Sequence, residues 1–183
     1  VQNIIHIGRH TEERGHETEI LSVKKLEKII DRFKKIEKRR ATIILEFGYC
    51  LGGNAAKSLE LAELILNSKK TVIAVAKKER ISSMAALIFI ACDERQIPAL
   101  PEFRMVFHPI QLSFSSALLD HEGRIPRKDF QRMQSMNAKM AAIMVERSRL
   151  HIDQIDEIFS AKGDAVFTGE QVLRAWLADG VVS

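Results

Sequence analysis

A serine, a histidine, an aspartate and a pair of glycines occupy positions from which this chain could carry out acyl transfer. Gly52-Gly53 follows an apolar run at 42–47, Ser83-Met84 follows another at 71–76, and His108 ends a third at 104–108. In parallel α/β folds, functional groups gather at the carboxyl ends of strands, where the chain turns into the next helix. A serine hydroxyl is a weak nucleophile until a base takes its proton, an acid orients that base, and N–H donors receive the oxyanion. A serine at a helix start has backbone N–H groups beside it, and a glycine turn lets another approach the same point. Singly, each feature has a plainer reading. The serine is an N-cap, the histidine a structural group, the glycines a turn, and Asp164, after Gly163, a loop residue. Their combination and order carry the expectation. Ser82 rivals Ser83 by adjacency, and Cys50 lies beside the glycine pair, although buried cysteines are commonly inert.

The elements that must position these residues alternate. Ile4-Ile5-His6-Ile7 reads as a short strand, and a helix is predicted from about Ser22 to Arg39, where Val23, Leu26, Ile30 and Phe33 recur at three- and four-residue steps. Thr42 to Phe47 is a strand broken by Gly48 and the glycine pair. Asn54 caps a helix with an apolar stripe at Ala55, Leu59, Ala62 and Leu66. Thr71 to Ala76 is almost wholly apolar, as expected of a parallel strand buried on both faces. Ser82 or Ser83 then opens a helix through Ala91, and Arg104 to His108 is a fourth strand entered from the turn Ile97-Pro98-Ala99-Leu100-Pro101. Strands alternating with helices imply βαβ crossovers around a largely parallel sheet. Beyond Pro109 the segment 111–116 reads as extended, Gly123 and Pro126 mark a loop, and 127–150 reads as one long helix. Such a helix, about 36 Å long, exceeds the needs of a small domain, so it is expected to project or to pack on another subunit. Short helices are predicted at 153–160 and 169–178.

With 183 residues, 46% of them apolar and 28% charged, one globular domain over 1–183 is expected. No apolar run approaches the ~20 residues of a membrane helix; the longest, Met84 to Cys92, reads as a buried core helix. No basic-then-apolar leader opens the chain, and two cysteines without paired spacing suggest no disulfide framework, so a reducing, cytoplasmic setting is the default. The formal charge of +4 owes much to Lys34, Lys35, Lys38, Arg39 and Arg40, which close a helix, complement its dipole and are solvated. Neither nucleic acid nor a membrane is expected as a partner, and no zinc spacing or phosphate loop is present.

Along nearly its whole length the chain resembles the proteolytic subunit of the Clp protease. That family has a strand leading to a Pro-Gly-Gly turn, where this chain has Leu51-Gly52-Gly53 after Ile43-Ile44-Leu45. It then has a strand and an Ala-Ser-Met-Gly-Ala segment, to which Ser82-Ser83-Met84-Ala85-Ala86 is similar. A basic turn, a Leu-Pro step and a strand ending in Met-Ile-His correspond to Glu94-Arg95, Leu100-Pro101 and Met105-Val106-Phe107-His108. The stretch from Asp164 to Val172, with Asp179-Gly180-Val181-Val182, is similar to the third triad member and the closing segment.

The resemblance implies an α/β fold in which βαβ units form the spiral of the Clp peptidase and crotonase clan, with a projecting handle helix at 127–150. It implies a serine endopeptidase with Ser83 as nucleophile, His108 as base then acid, and Asp164 orienting the imidazole. Backbone N–H groups of Gly53 and Met84 would form the oxyanion hole. The segment from Gln111, Leu112 and Ser113 to Ser115 would pair with an extended peptide or unfolded protein, and the handle helix would join subunits in stacked homo-oligomeric rings. The usual partner is an ATP-dependent unfoldase; no cofactor or metal is implied for this chain. The chain departs from the family at Leu51, at Glu79-Arg80 in place of a glycine bend, at Ala85, at Pro109 directly after the histidine, and at Leu112 and Phe114 in the docking segment. Two other readings remain: a crotonase-type acyl-CoA hydratase or isomerase, faintly suggested by Ala91-Cys92-Asp93, and a non-catalytic ring subunit that kept the fold.

Overall fold

The computed structural model describes residues 3–9, 20–39, 42–110, 126–160 and 163–182. Five strands, β1 (Ile4–Ile7), β2 (Ile43–Phe47), β3 (Val72–Ala76), β5 (Glu94–Pro98) and β8 (Gly180–Val182), form one sheet in the order β1-β2-β3-β5-β8. All four pairings in it are parallel. Helix α1 (Val23–Glu37) links β1 to β2, α2 (Ala55–Leu66) links β2 to β3, and α3 (Met84–Ile90) precedes β5. A second sheet of three short strands, in the order β4-β6-β7, contains β4 (Arg80–Ser82), β6 (Arg104–Phe107) and β7 (Ala165–Thr168). The β4–β6 pair is parallel and the β6–β7 pair antiparallel. Helices α4 (Arg127–Arg147), α5 (Ile152–Ser160) and α6 (Gly169–Arg174) complete the described elements.

Local chemistry sets these boundaries. The side chains of Ser22 and Asn54 accept the backbone N–H groups of Lys25 and Lys57, so α1 and α2 each begin on a polar cap. Thr168 and Gln171 form a reciprocal capping box at the start of α6. Every residue of α3 is buried, as expected of an apolar run from Met84. The apolar stripe of α1, with Leu26, Ile30 and Phe33, joins one core with Ile5, Ile7, Ile43, Leu45, Phe47, Val72 and Ala74 from the sheet.

The large sheet departs from the expectation of burial on both faces. Val72, Ala74 and Ala76 of β3 are buried, whereas Ile73 and Val75 are only half-buried. The register continues this second face through Ile4, Ile44 and Ile73, and through exposed His6 and half-buried Glu46 and Val75. No described helix closes that face completely, because the α1, α2 and α3 side chains share the core with the opposite one. Three further differences concern extent. The turn expected at 97–101 is preceded by a genuine strand, β5; the helix expected at 169–178 stops at Arg174; and the long helix ends at Arg147, making it about 32 Å long. Its apolar stripe divides: Met140, Ile143 and Met144 are buried in the core, while Phe130 is 43% exposed.

A buried guanidinium fixes the end of that helix. Arg95, only 6% exposed, donates from Nε and NH2 to the two carboxylate oxygens of Asp179 and from NH1 to the carbonyls of Arg147 and Ile90. One residue thereby ties β5 to the ends of α3 and α4 and to the approach to β8. Among the described residues, no helix is long and apolar enough to cross a membrane.

Candidate active site

The chain enters the site along β4, whose backbone is laced to its neighbours on both sides. Ser82 N–H donates to the Cys50 carbonyl, and Ser82 stands opposite Val106 in the parallel β4–β6 ladder. Ser83 is the hinge between β4 and α3, with φ 56° and ψ −130°. A serine gains nothing from such a backbone conformation, which costs about 1–3 kcal/mol and persists only where the surroundings enforce it. Here they do: Ser83 N–H donates to the Val106 carbonyl at 2.7 Å, and its own carbonyl accepts Leu87 N–H. Gly52 packs directly on this hinge; a Cβ there would lie 2.6 Å from Ser83 Cβ and 3.0 Å from Met84 N. Replacing Ser83 with glycine is expected to relieve the strain and raise stability by about 1 kcal/mol despite glycine's greater chain entropy, as read from urea melts.

The two adjacent serines differ in what holds their hydroxyls. Ser82 Oγ accepts a hydrogen bond from Arg80 Nε at 2.8 Å, whereas Ser83 Oγ makes none to a described residue. In the Glu79-Arg80 bend, Arg80 Nε is committed to Ser82, and the Glu79 backbone carbonyl accepts Arg104 N–H. This commitment of Arg80 had no signal in the sequence.

His108 leaves the end of β6 one residue past the position facing Ser83, and is half-buried. Its Nδ1 lies 3.0 Å from the Pro109 carbonyl oxygen. A carbonyl only accepts, so this contact places the proton on Nδ1 and, in the neutral ring, leaves the lone pair on Nε2. Asp164 precedes β7, and continuing the antiparallel register from Phe107↔Ala165 sets it across from His108. Ser83, His108 and Asp164 thus end three neighbouring strands, about 4.8 Å apart in the ladder direction, with the histidine in the middle. Asp164 is exposed, and no hydrogen bond joins the three side chains in this arrangement.

The glycine pair is shaped by Leu21. Leu21 N–H donates to the Gly52 carbonyl and Asn54 N–H to the Leu21 carbonyl, so the N–H of Gly53 faces away from Leu21. A Cβ on Gly53 would lie 2.2 Å from Leu21 O, which excludes any other residue. Neither Gly53 N–H nor Met84 N–H donates to a described backbone carbonyl. Met84, as the first residue of α3, has no helical acceptor available. Leu21 is a participant that sequence reasoning missed, since it reads only as the residue before a helix cap.

No protein-family model and no curated protein matches this chain. The case for its chemistry rests on its own residues.

The rival nucleophile Cys50 is fully buried, and burial pushes its thiol up against the opposing pull of Gly52 N–H and Lys25. Cys92 is raised further, again by burial first. Both thiols are therefore held protonated at neutral pH and are poor nucleophiles. Gln111, Leu112 and Ser113, expected to pair with a substrate strand, lie outside the described residues. Among the described residues, no three metal-ligating side chains gather.

Proposed function

We propose that this chain is a serine-type endopeptidase of the Clp proteolytic-subunit kind, with the spiral βαβ plan and handle helix of that family. The observation that carries the reading is Ser83: a non-glycine residue held at φ 56° between a strand and a helix, its hydroxyl bonded to no described residue. Such a sharp turn sets a serine apart from the run of its strand, as nucleophile turns do, and here it holds Ser83 at 8% exposure. In the proposed reaction Ser83 Oγ attacks the peptide carbonyl while His108 Nε2 takes its proton. The oxyanion is received by the N–H groups of Gly53 and Met84, and His108 then gives its proton to the departing amine. Water repeats the sequence on the acyl-enzyme. Asp164 assumes the orienting role when the imidazole exchanges the Pro109 carbonyl for the carboxylate across the ladder.

A second reading, a non-catalytic ring subunit, is favoured by the absence of any hydrogen bond among the three side chains. Intact-mass detection of a fluorophosphonate adduct, mapped to its residue, separates the two. An adduct on Ser83 is expected; an unmodified chain under conditions that label a control hydrolase leaves the non-catalytic subunit.

Assembly belongs to the same proposal. The exposed first half of α4, with Phe130, and the half-open sheet face bearing Ile4, Ile44 and Ile73 suit contacts between copies. Phe130→Glu with Met133→Glu is expected to break the oligomer into smaller species in sedimentation without lowering the melting temperature of the subunit, since neither residue is buried. Met140→Glu would instead unfold the chain, because Met140 is 1% exposed. Sedimentation of the unaltered protein as a monomer at micromolar concentration would refute assembly.

A further inference from the structure

Beside the candidate site is a cavity of about 260 Å³ whose wall includes Asn54, Ala56, Ile110, Asp129, Arg132 and Met136. Its place follows from the chain: Asn54 is the residue after Gly53, and Ile110 lies two residues beyond His108. Ile110 N–H is anchored to Asn137 Oδ1 of α4 at 2.8 Å, which fastens the histidine's strand exit to the helix forming the far wall. An acyl group whose carbonyl oxygen meets Gly53 N–H has this cavity as the neighbouring space for its side chain.

The lining is not simply apolar. Ala56, Ile110 and Met136 offer a sleeve for methylene groups. Asp129 and Arg132 both border the space, yet neither forms an ion pair with a described residue or with the other. Asn54 Oδ1 is occupied by Lys57 N–H, so this side chain offers only its amide donor. The cavity thus presents donors from Arg132 and Asn54 and an acceptor from Asp129. A leucine side chain would displace water from these part-exposed groups and give nothing in return, a carboxylate would meet Asp129, and an ammonium would meet Arg132. A carboxamide satisfies both signs: its oxygen accepts from Arg132 and its NH2 donates to Asp129.

We propose that this cavity receives the side chain preceding the cleaved bond, and that Arg132 and Asp129 give it a preference for a carboxamide, glutamine above all. The assignment rests on the hydrolase reading above.

The test uses the full chain and a series of peptidyl phosphonates that differ only in this side chain: glutamine, glutamate, leucine and lysine. Inactivation is followed by intact mass, and each rate is divided by that of a plain alkyl fluorophosphonate on the same variant. Glutamine is expected to exceed leucine and glutamate by about tenfold, the discrimination that polar groups left unpaired in a part-open site impose. Arg132→Leu should shift the preference to leucine, and Asp129→Asn should raise glutamate relative to glutamine. Leucine as the fastest probe of the unaltered protein, or an unchanged glutamine-to-leucine ratio in Arg132→Leu, overturns the pocket assignment alone. Failure of the plain fluorophosphonate to label overturns the hydrolase reading and the pocket with it.

Discussion

Ser83→Ala is expected to abolish fluorophosphonate labelling and to lower peptide hydrolysis by at least about a thousandfold, while Ser82→Ala retains both. The contrast follows from geometry as much as chemistry. Ser82 lies within β4 with its hydroxyl bonded to Arg80, so its loss removes a strand contact. Ser83 closes the ladder on a strained hinge, its backbone N–H bonded to Val106 and its hydroxyl bonded to no described residue. His108→Ala and Asp164→Ala should each slow hydrolysis by orders of magnitude, and Ser83→Ala combined with either should be little worse than Ser83→Ala alone, because the three act as a unit. Labelling that survives Ser83→Ala and is lost in Ser82→Ala would move the nucleophile by one residue and leave the strained hinge without a catalytic role.

The second large effect concerns stability. Arg95→Ala should cost about 3–5 kcal/mol in urea unfolding, the range for removing one partner from a buried, multiply bonded charge. The loss would strip donors from the Arg147 and Ile90 carbonyls and from Asp179 at once. Asp179→Ala should also be costly, because it leaves the buried Arg95 guanidinium without its counter-charge and with only the Arg147 and Ile90 carbonyls as acceptors. In a double-mutant cycle the Asp179 change should cost less once the Arg95 side chain is gone, keeping only the loss of the bond that Asp179 Oδ2 accepts from the backbone N–H of residue 95. Additive losses would mean that the pair does not act as one clamp.

Much of this architecture is legible in the residues, for reasons that also mark where legibility stops. β2 and β3 are apolar runs bounded by turn residues, and α1 carries a regular stripe with a polar cap, so local pattern and tertiary context agree. β5 hides because Glu94, Arg95 and Gln96 give no apolar alternation; its pairing with β3 and β8 is settled by distant partners. β4 has only three residues, too few to show a period. The stripe on α4 announces an amphipathic helix but cannot say that its second half is covered by its own chain. At the site, residue types and order point to Ser83, His108 and Asp164. The hinge conformation is invisible because serine is not the residue type that positive φ calls for. The Pro109 carbonyl is equally silent, since every residue carries one.

The hydrogen bond from Ser83 N–H to the Val106 carbonyl has a consequence independent of any reaction. Val106 lies two residues before His108 on the same strand, so the backbone of the serine is indexed to the segment that carries the imidazole. Any slip of one strand past the other must break this amide's bond before the two side chains lose their mutual spacing. Asp164 is indexed to the same strand from its other side, through the pairing of Ala165 with Phe107 in the β6–β7 ladder, so its position is read by a different set of bonds. The exchange rate of a single backbone hydrogen at position 83 therefore reports whether this half of the site is intact, in active and inactive variants alike.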